Sequence, residues 1–176
     1  MLPILLALLF IAILIFIVIA GRPDEFRVTR TATISAPPEK VFAQVNDLRA
    51  WEAWSPWAKL DPNAKSIYEG PASGVGAAMK WSGNGKVGEG KMTIIENRPN
   101  ELIRINLEFL RPFKATNTAE FSFVPQAGQT VVSWSMFGKN NVGSKIFSLF
   151  MNCDDMVGKC FDQGLGNLKS VVESKR

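Results

Sequence analysis

From Leu2 to Ala20 every side chain is aliphatic or aromatic apart from Pro3, and the first charged residue is Arg22. At about 1.5 Å rise per residue such a run makes a helix of roughly 30 Å, the thickness of a bilayer's hydrocarbon core, with its backbone polar groups satisfied internally. Pro3 fits the first turn, where a missing N–H costs little. A secretory signal would carry a basic n-region ahead of a core of about 7–15 apolar residues. No Lys or Arg precedes this longer core, so residues 1–21 are expected to be a retained transmembrane anchor, with the lipid bilayer as partner through residues 2–20. Arg22, Arg27 and Arg30 follow the run, and basic residues on that flank favour a single-pass cell-membrane protein with a cytoplasmic C-terminal domain.

The remainder, 22–176, has the size of one domain with a sizeable core. Its 20 basic and 16 acidic residues leave a net charge of +4 with no block of Lys and Arg, so nucleic acid is not an expected partner and an ordinary solvated surface is. Cys153 and Cys160 fall two helical turns apart, about 10 Å, which is too far for a disulfide. Both are expected to be free core thiols, in agreement with a reducing compartment.

Alternation and β-branched residues mark Phe26 to Ser35 as a strand, and Ala36-Pro37-Pro38 opens a helix over Glu39 to Val45. A short irregular stretch carries Trp51, Trp54 and Trp57. Further strands are expected near Lys65–Glu69, Ala77–Trp81, Gly88–Asn97, Glu101–Phe109, Lys114–Val124 and Thr130–Phe137, joined by Gly83-Asn84-Gly85, Pro99-Asn100 and Ala127-Gly128 turns. Short turns between successive strands mean an antiparallel meander. From Val142 the period becomes helical: Ile146, Phe150, Cys153, Val157, Cys160, Phe161, Leu165, Leu168 and Val171 form one stripe, opposite Asp155, Lys159, Asp162, Lys169 and Glu173. Such a helix closes naturally over a curved sheet.

Ile34-Ser35-Ala36-Pro37-Pro38-Glu39-Lys40-Val41-Phe42 resembles the entry motif of the START-like (SRPBCC) superfamily, in its polyketide cyclase/dehydrase and lipid-transport branch. Trp51-Glu52-Ala53-Trp54-Ser55-Pro56-Trp57, Leu60-Asp61-Pro62, Gly74-Val75-Gly76 and Gly164-Leu165-Gly166-Asn167-Leu168-Lys169 look like landmarks of a membrane-anchored bacterial subgroup. The resemblance covers everything after the anchor. It implies an α+β helix-grip (START/Bet v 1-like) fold, an antiparallel sheet wrapped on a long C-terminal helix, with a cavity between them. Function does not follow, because one fold hosts many roles.

The residues support a cavity independently. Inward faces are expected to present Ile103, Ile105, Leu107 and Phe109, then Phe121 and Phe123, then Val132, Trp134 and Met136. A ligand there would meet Trp81, Ile105, Leu107, Phe109, Phe121, Phe123, Trp134, Met136, Phe150, Asp154, Val157 and Phe161. The same set can fill a solid core. Gly158, Gly164 and Gly166 each cost about 1 kcal/mol of helix propensity relative to Ala, and at Gly158 and Gly164 the missing side chain leaves room either for a ligand or for a close strand.

Chemistry is thinly provided for. Gly83-Asn84-Gly85-Lys86-Val87-Gly88 matches a dinucleotide-binding pattern, but a strand follows it instead of a helix and Asn-Gly explains it as a hairpin turn. With no histidine in the chain, Ser-His and Cys-His arrangements are excluded, and the cysteine spacing matches no zinc pattern. No catalytic residue, metal or cofactor is therefore assigned. Asp154 lies at the margin of the apolar stripe; buried there it would have a raised pKa and serve as acid, base or ligand anchor, and at the rim it would stay solvated. The three indoles suit a core plug first and a membrane interface second. The expected function is a membrane-anchored binding module for an apolar small molecule, such as a lipid, isoprenoid or polyketide-like compound. The alternatives are a cyclase or dehydratase using Asp154 or Tyr68, and a filled-core adaptor for a protein partner.

Overall fold

A computed structural model describes residues 2–140, 143, 145 and 153–174; Ile146 and Phe150 of the expected helical stripe lie outside them. The elements are α1 (Leu2–Ala20), β1 (Glu25–Ile34), α2 (Pro38–Asn46), α3 (Trp51–Trp54), a 3-10 turn (Pro56–Lys59), β2 (Lys65–Glu69), β3 (Ala78–Ser82), β4 (Glu89–Arg98), β5 (Leu102–Arg111), β6 (Ala115–Gln126), β7 (Gln129–Lys139) and α4 (Cys153–Ser174).

The seven strands make one antiparallel sheet in the order β1-β7-β6-β5-β4-β3-β2. Strands β2 to β7 are sequential neighbours, joined by connections of two to eight residues. At Ala127-Gly128 both residues have positive φ, 48° and 80°, the backbone of a two-residue hairpin whose twist matches the strands it joins. The first strand closes the sheet by pairing with the last, Glu25 opposite Lys139 through Ile34 opposite Thr130.

Between β1 and the meander the chain crosses the concave face. Pro38 starts α2 at a position where its missing N–H is harmless, and Thr130 Oγ1 donates to the Ala36 carbonyl at 2.7 Å, pinning the entry. Val41, Phe42 and Val45 are buried there. Helix α4 then runs along β1. Its C-terminal half is clamped by Lys169 Nζ donating to the Thr33 carbonyl (2.9 Å), Ser35 N–H donating to Glu173 (2.7 Å) and Asn167 Nδ2 donating to the Trp54 carbonyl (3.0 Å). The helix-grip arrangement of sheet and C-terminal helix is therefore present.

One expectation fails. Helix α1 does span Leu2–Ala20, and described side chains such as Ile4, Leu9, Phe10 and Ile17 are exposed. Among the described residues, however, no helix is long and apolar enough to cross a membrane. The transmembrane helix, and the single-pass cell-membrane localisation derived from it, are withdrawn; the bilayer contact assigned to residues 2–20 rested on the same span.

Candidate functional site on the inner face of the sheet

The strand registers arrange the inward side chains in rows across the sheet. One row is Arg30, Trp134, Phe121 and Ile103; the next is Val28, Met136, Ala119, Ile105 and Ile94. Beyond it Leu107 faces Met92, which faces Met79 and then Tyr68, and farther still Phe109 faces Gly90 and Trp81. These rows divide the inner face into two halves of different character.

The half under α2, α3 and the C-terminal part of α4 is filled. Phe161 stacks on Trp134 with centroids 4.1 Å apart and planes 11° apart, and Phe121 stacks on Trp134 at 4.8 Å and 27°. Trp51 and Trp54 meet this stack edge-on at 5.7–6.2 Å. Their own indole N–H groups are satisfied, Trp51 by the Val45 carbonyl at 3.0 Å and Trp54 by the Gln44 carbonyl at 3.1 Å. Trp134 Nε1 is buried without a hydrogen-bond partner among the described residues.

The helix glycines belong to this packing. A Cβ on Gly164 would stand 2.7 Å from Trp134 Cζ3 and 3.1 Å from Pro56 Cδ, and one on Gly158 would overlap the Arg30 guanidinium. Both positions are short of side chain because something else already lies there. Around Gly166 nothing lies within 4 Å.

Among the described residues the opposite half is less fully covered. Phe26, Tyr68, Met79, Trp81, Leu107, Met136 and Val157 are only half-buried, packed against the edge of the core. Trp81 donates its N–H to the Val87 carbonyl at 3.2 Å and meets Phe109 at 5.8 Å. A depression of about 600 Å³ lies at the strand ends of β1, β6 and β7, lined by Phe26, Asn117 and Gly138 from the inner side and by Arg27, Thr118 and Phe137 from the outer. It wraps the rim of the sheet, and Met79, Trp81, Leu107 and Met136 are not among its lining residues.

Of the residues expected to meet a ligand, Ile105, Phe121, Phe123, Trp134 and Phe161 are buried in the core, while Trp81, Leu107, Phe109, Met136 and Val157 are half-buried. Phe150 lies outside the described residues. Asp154 is exposed: Arg30 donates to its two carboxylate oxygens at 3.2 and 3.0 Å, and holds its pKa below the ordinary carboxylate value. This is opposite to the raised pKa expected of a buried carboxylate, since burial is the weaker influence beside a hydrogen-bonded guanidinium. Arg30 also reaches Asp162 at 3.4 Å, so it ties β1 to α4. Tyr68 carries Arg49 over its ring at 4.8 Å, and burial, helped by the Glu52 charge, pushes its phenol up. Burial likewise pushes the Cys160 thiol up.

Sequence reasoning missed Phe26, Met79 and Met92 as parts of this surface. Alternation held the signal: Phe26 shares a face with Val28, and Met79 with Trp81. It also missed Arg30, an inward charge on β1 that requires a partner on whatever packs there.

A seven-stranded antiparallel sheet gripping one long helix, apolar on its inner face, defines a helix-grip protein. The chain belongs to the polyketide cyclase/dehydrase and lipid-transport family, whose model matches residues 25–173. That match does not extend to a membrane-anchored subgroup. Protein MLL2253 from Mesorhizobium loti is similar in structure, with TM-score 0.63 and 14% identity over 86% of this chain and 99% of that one. So is protein CV1439 from Chromobacterium violaceum, with TM-score 0.60 and 19% identity over 86% and 99%. The Aha1 dimer from Colwellia psychrerythraea follows at TM-score 0.54 and 17% identity over 85% and 95%. At such identities the likeness establishes the fold alone. No match was found among curated proteins.

Proposed function

We propose that the domain binds an apolar small molecule, a lipid, isoprenoid or polyketide-like compound, on the open half of its inner face. The observation that carries this reading is the asymmetry of that face: one half is filled by the Trp51, Trp54, Phe121, Trp134 and Phe161 cluster, while the other leaves Phe26, Met79, Trp81, Leu107 and Met136 half-buried. Large apolar side chains facing inward yet incompletely covered mark a ligand site more than a finished core. The family's range, which includes lipid transport, supports the same class of ligand.

The cyclase or dehydratase alternative has little to stand on at Asp154, whose carboxylate is held ionised by Arg30. Tyr68, with its phenol kept neutral at the edge of the open half, is the remaining proton-bearing group for that reading. Native mass spectrometry of the full-length chain tests the proposal. An apolar molecule of discrete mass should travel with the protein, and be lost when Leu107→Trp fills the face; a wild-type protein that carries nothing and takes up no apolar probe would overturn it.

A further inference from the structure

We infer that the Trp134 indole N–H is the hydrogen-bond donor for a neutral acceptor oxygen, a ketone or ether, on the apolar ligand; the assignment rests on the binding reading above and names the ligand's polar end.

Trp134 is 2% exposed and its Nε1 has no partner among the described residues. The indoles of Trp51, Trp54 and Trp81 each donate to a backbone carbonyl, so three of the five tryptophans find a backbone acceptor. Leaving a buried donor unmade is costly, and each such group calls for an explanation. Stacking does not supply one, since a phenylalanine would stack between Phe121 and Phe161 without the stranded N–H.

Covalent geometry turns the N–H away from the helix contact at Gly164. Both faces of the indole are covered, by Phe121 on one side and Phe161 on the other. Its Cζ3 corner is the part nearest Gly164. In an indole Nε1 lies on the long edge opposite Cε3 and Cζ3, so the polar edge is the one turned away from the helix contact at Gly164. Trp134 also occupies the boundary of the filled half. The next inward residue on β7 is Met136, half-buried, and beside Met136 on β6 stands Ala119, whose methyl keeps the floor low. An apolar molecule lying over Met136 and Leu107 would direct its leading end at the Trp134 row.

The acceptor is neutral because the described residues around Trp134 offer an anion no unengaged cation. Arg30, the cross-strand neighbour of Trp134, is engaged by Asp154 and Asp162, and the other neighbours, Phe121, Phe161, Met136 and the edge-on indoles of Trp51, Trp54 and Trp57, carry no charge. Burying a carboxylate there would be prohibitive, while a carbonyl or ether oxygen needs one donor and finds one.

The test compares 2-acetylnaphthalene with 2-ethylnaphthalene, two probes of nearly equal shape that differ in one acceptor oxygen, binding to full-length wild-type protein and to Trp134→Phe. The ratio of ketone to hydrocarbon affinity should fall about 3- to 10-fold in Trp134→Phe, the range of a neutral hydrogen bond. In the nitrogen-15 spectrum of the wild type, the indole resonance that Trp134→Phe removes should move with the ketone and stay with the hydrocarbon. Should Trp134→Phe fold poorly, benzothienylalanine at position 134 keeps both rings and deletes only the N–H. If both probes bind, the ratio is unchanged and the indole resonance is unmoved by the ketone, the Trp134 assignment is wrong while the binding reading stands. If neither probe binds the wild type, the binding reading fails and this assignment with it.

Discussion

Phe161 on α4 lies flat against Trp134 on β7, 4.1 Å between ring centroids and 11° between planes, with Phe121 stacked on the other face of the same indole. This triple stack is one of the points at which the long helix is fastened to the sheet, beside the Lys169 and Arg30 contacts between α4 and β1. Phe161 is 2% exposed, and truncating a buried phenylalanine removes its transfer energy and leaves a cavity between two rings that cannot collapse together. Phe161→Ala should lower unfolding stability by about 3–5 kcal/mol in a urea titration. A loss below about 1 kcal/mol would mean that the helix is held elsewhere.

The helix glycines give opposite expectations at two neighbouring positions. Gly164→Ala places a methyl 2.7 Å from Trp134 Cζ3, so the stack must shift and the substitution should destabilise; Gly164→Leu should cost roughly 1–3 kcal/mol by overpacking. Gly166→Ala meets nothing within 4 Å and should stabilise by up to about 1 kcal/mol through helix propensity. Thermal midpoints of the three variants check this directly. A stabilised Gly164→Leu would restore the idea that Gly164 opens space for a ligand.

Arg30 and Asp154 give a pH signature. The Asp154 carboxyl is held below its ordinary value by the Arg30 hydrogen bonds. A group whose folded pKa is depressed contributes stability that is present above its unfolded pKa, about 3.9, and lost as pH falls through the lower folded value. The thermal midpoint of wild type should therefore exceed that of Asp154→Asn by a constant margin near neutrality, with the margin closing below about pH 4. A margin that persists unchanged to pH 2 would show that the ion pair is not its source.

Much of the architecture could be read from the chain because the signals were local. Alternation through Leu102–Arg111 and Gln129–Lys139 and the turn chemistry of Ala127-Gly128 mark strands and hairpin without reference to anything distant. The character of the inner face was not legible in that way. Gly158 and Gly164 look alike as helix glycines, and only the arrival of Arg30 and Trp134 from β1 and β7 shows that both are occupied by packing. The same holds for Asp154, whose helical position gave its place on the stripe and whose charge state is set by Arg30, far away in sequence. The apolar run of α1 was the reverse case, a strong local signal whose expected membrane span the described residues do not bear out.

The central claim is that the open half of the inner face takes up an apolar molecule. The most direct measurement is a fluorescence titration of 2-ethylnaphthalene into the full-length wild type and into Leu107→Trp and Met136→Trp, which fill that face at half-buried positions, with Gly166→Ala as control. Saturable uptake is expected for wild type and Gly166→Ala, weakened at least about 10-fold in both filling variants while their thermal midpoints stay near the wild-type value, since a half-buried site can accept the larger ring. No saturable uptake by wild type, or equal affinity in the filled variants, would contradict the account.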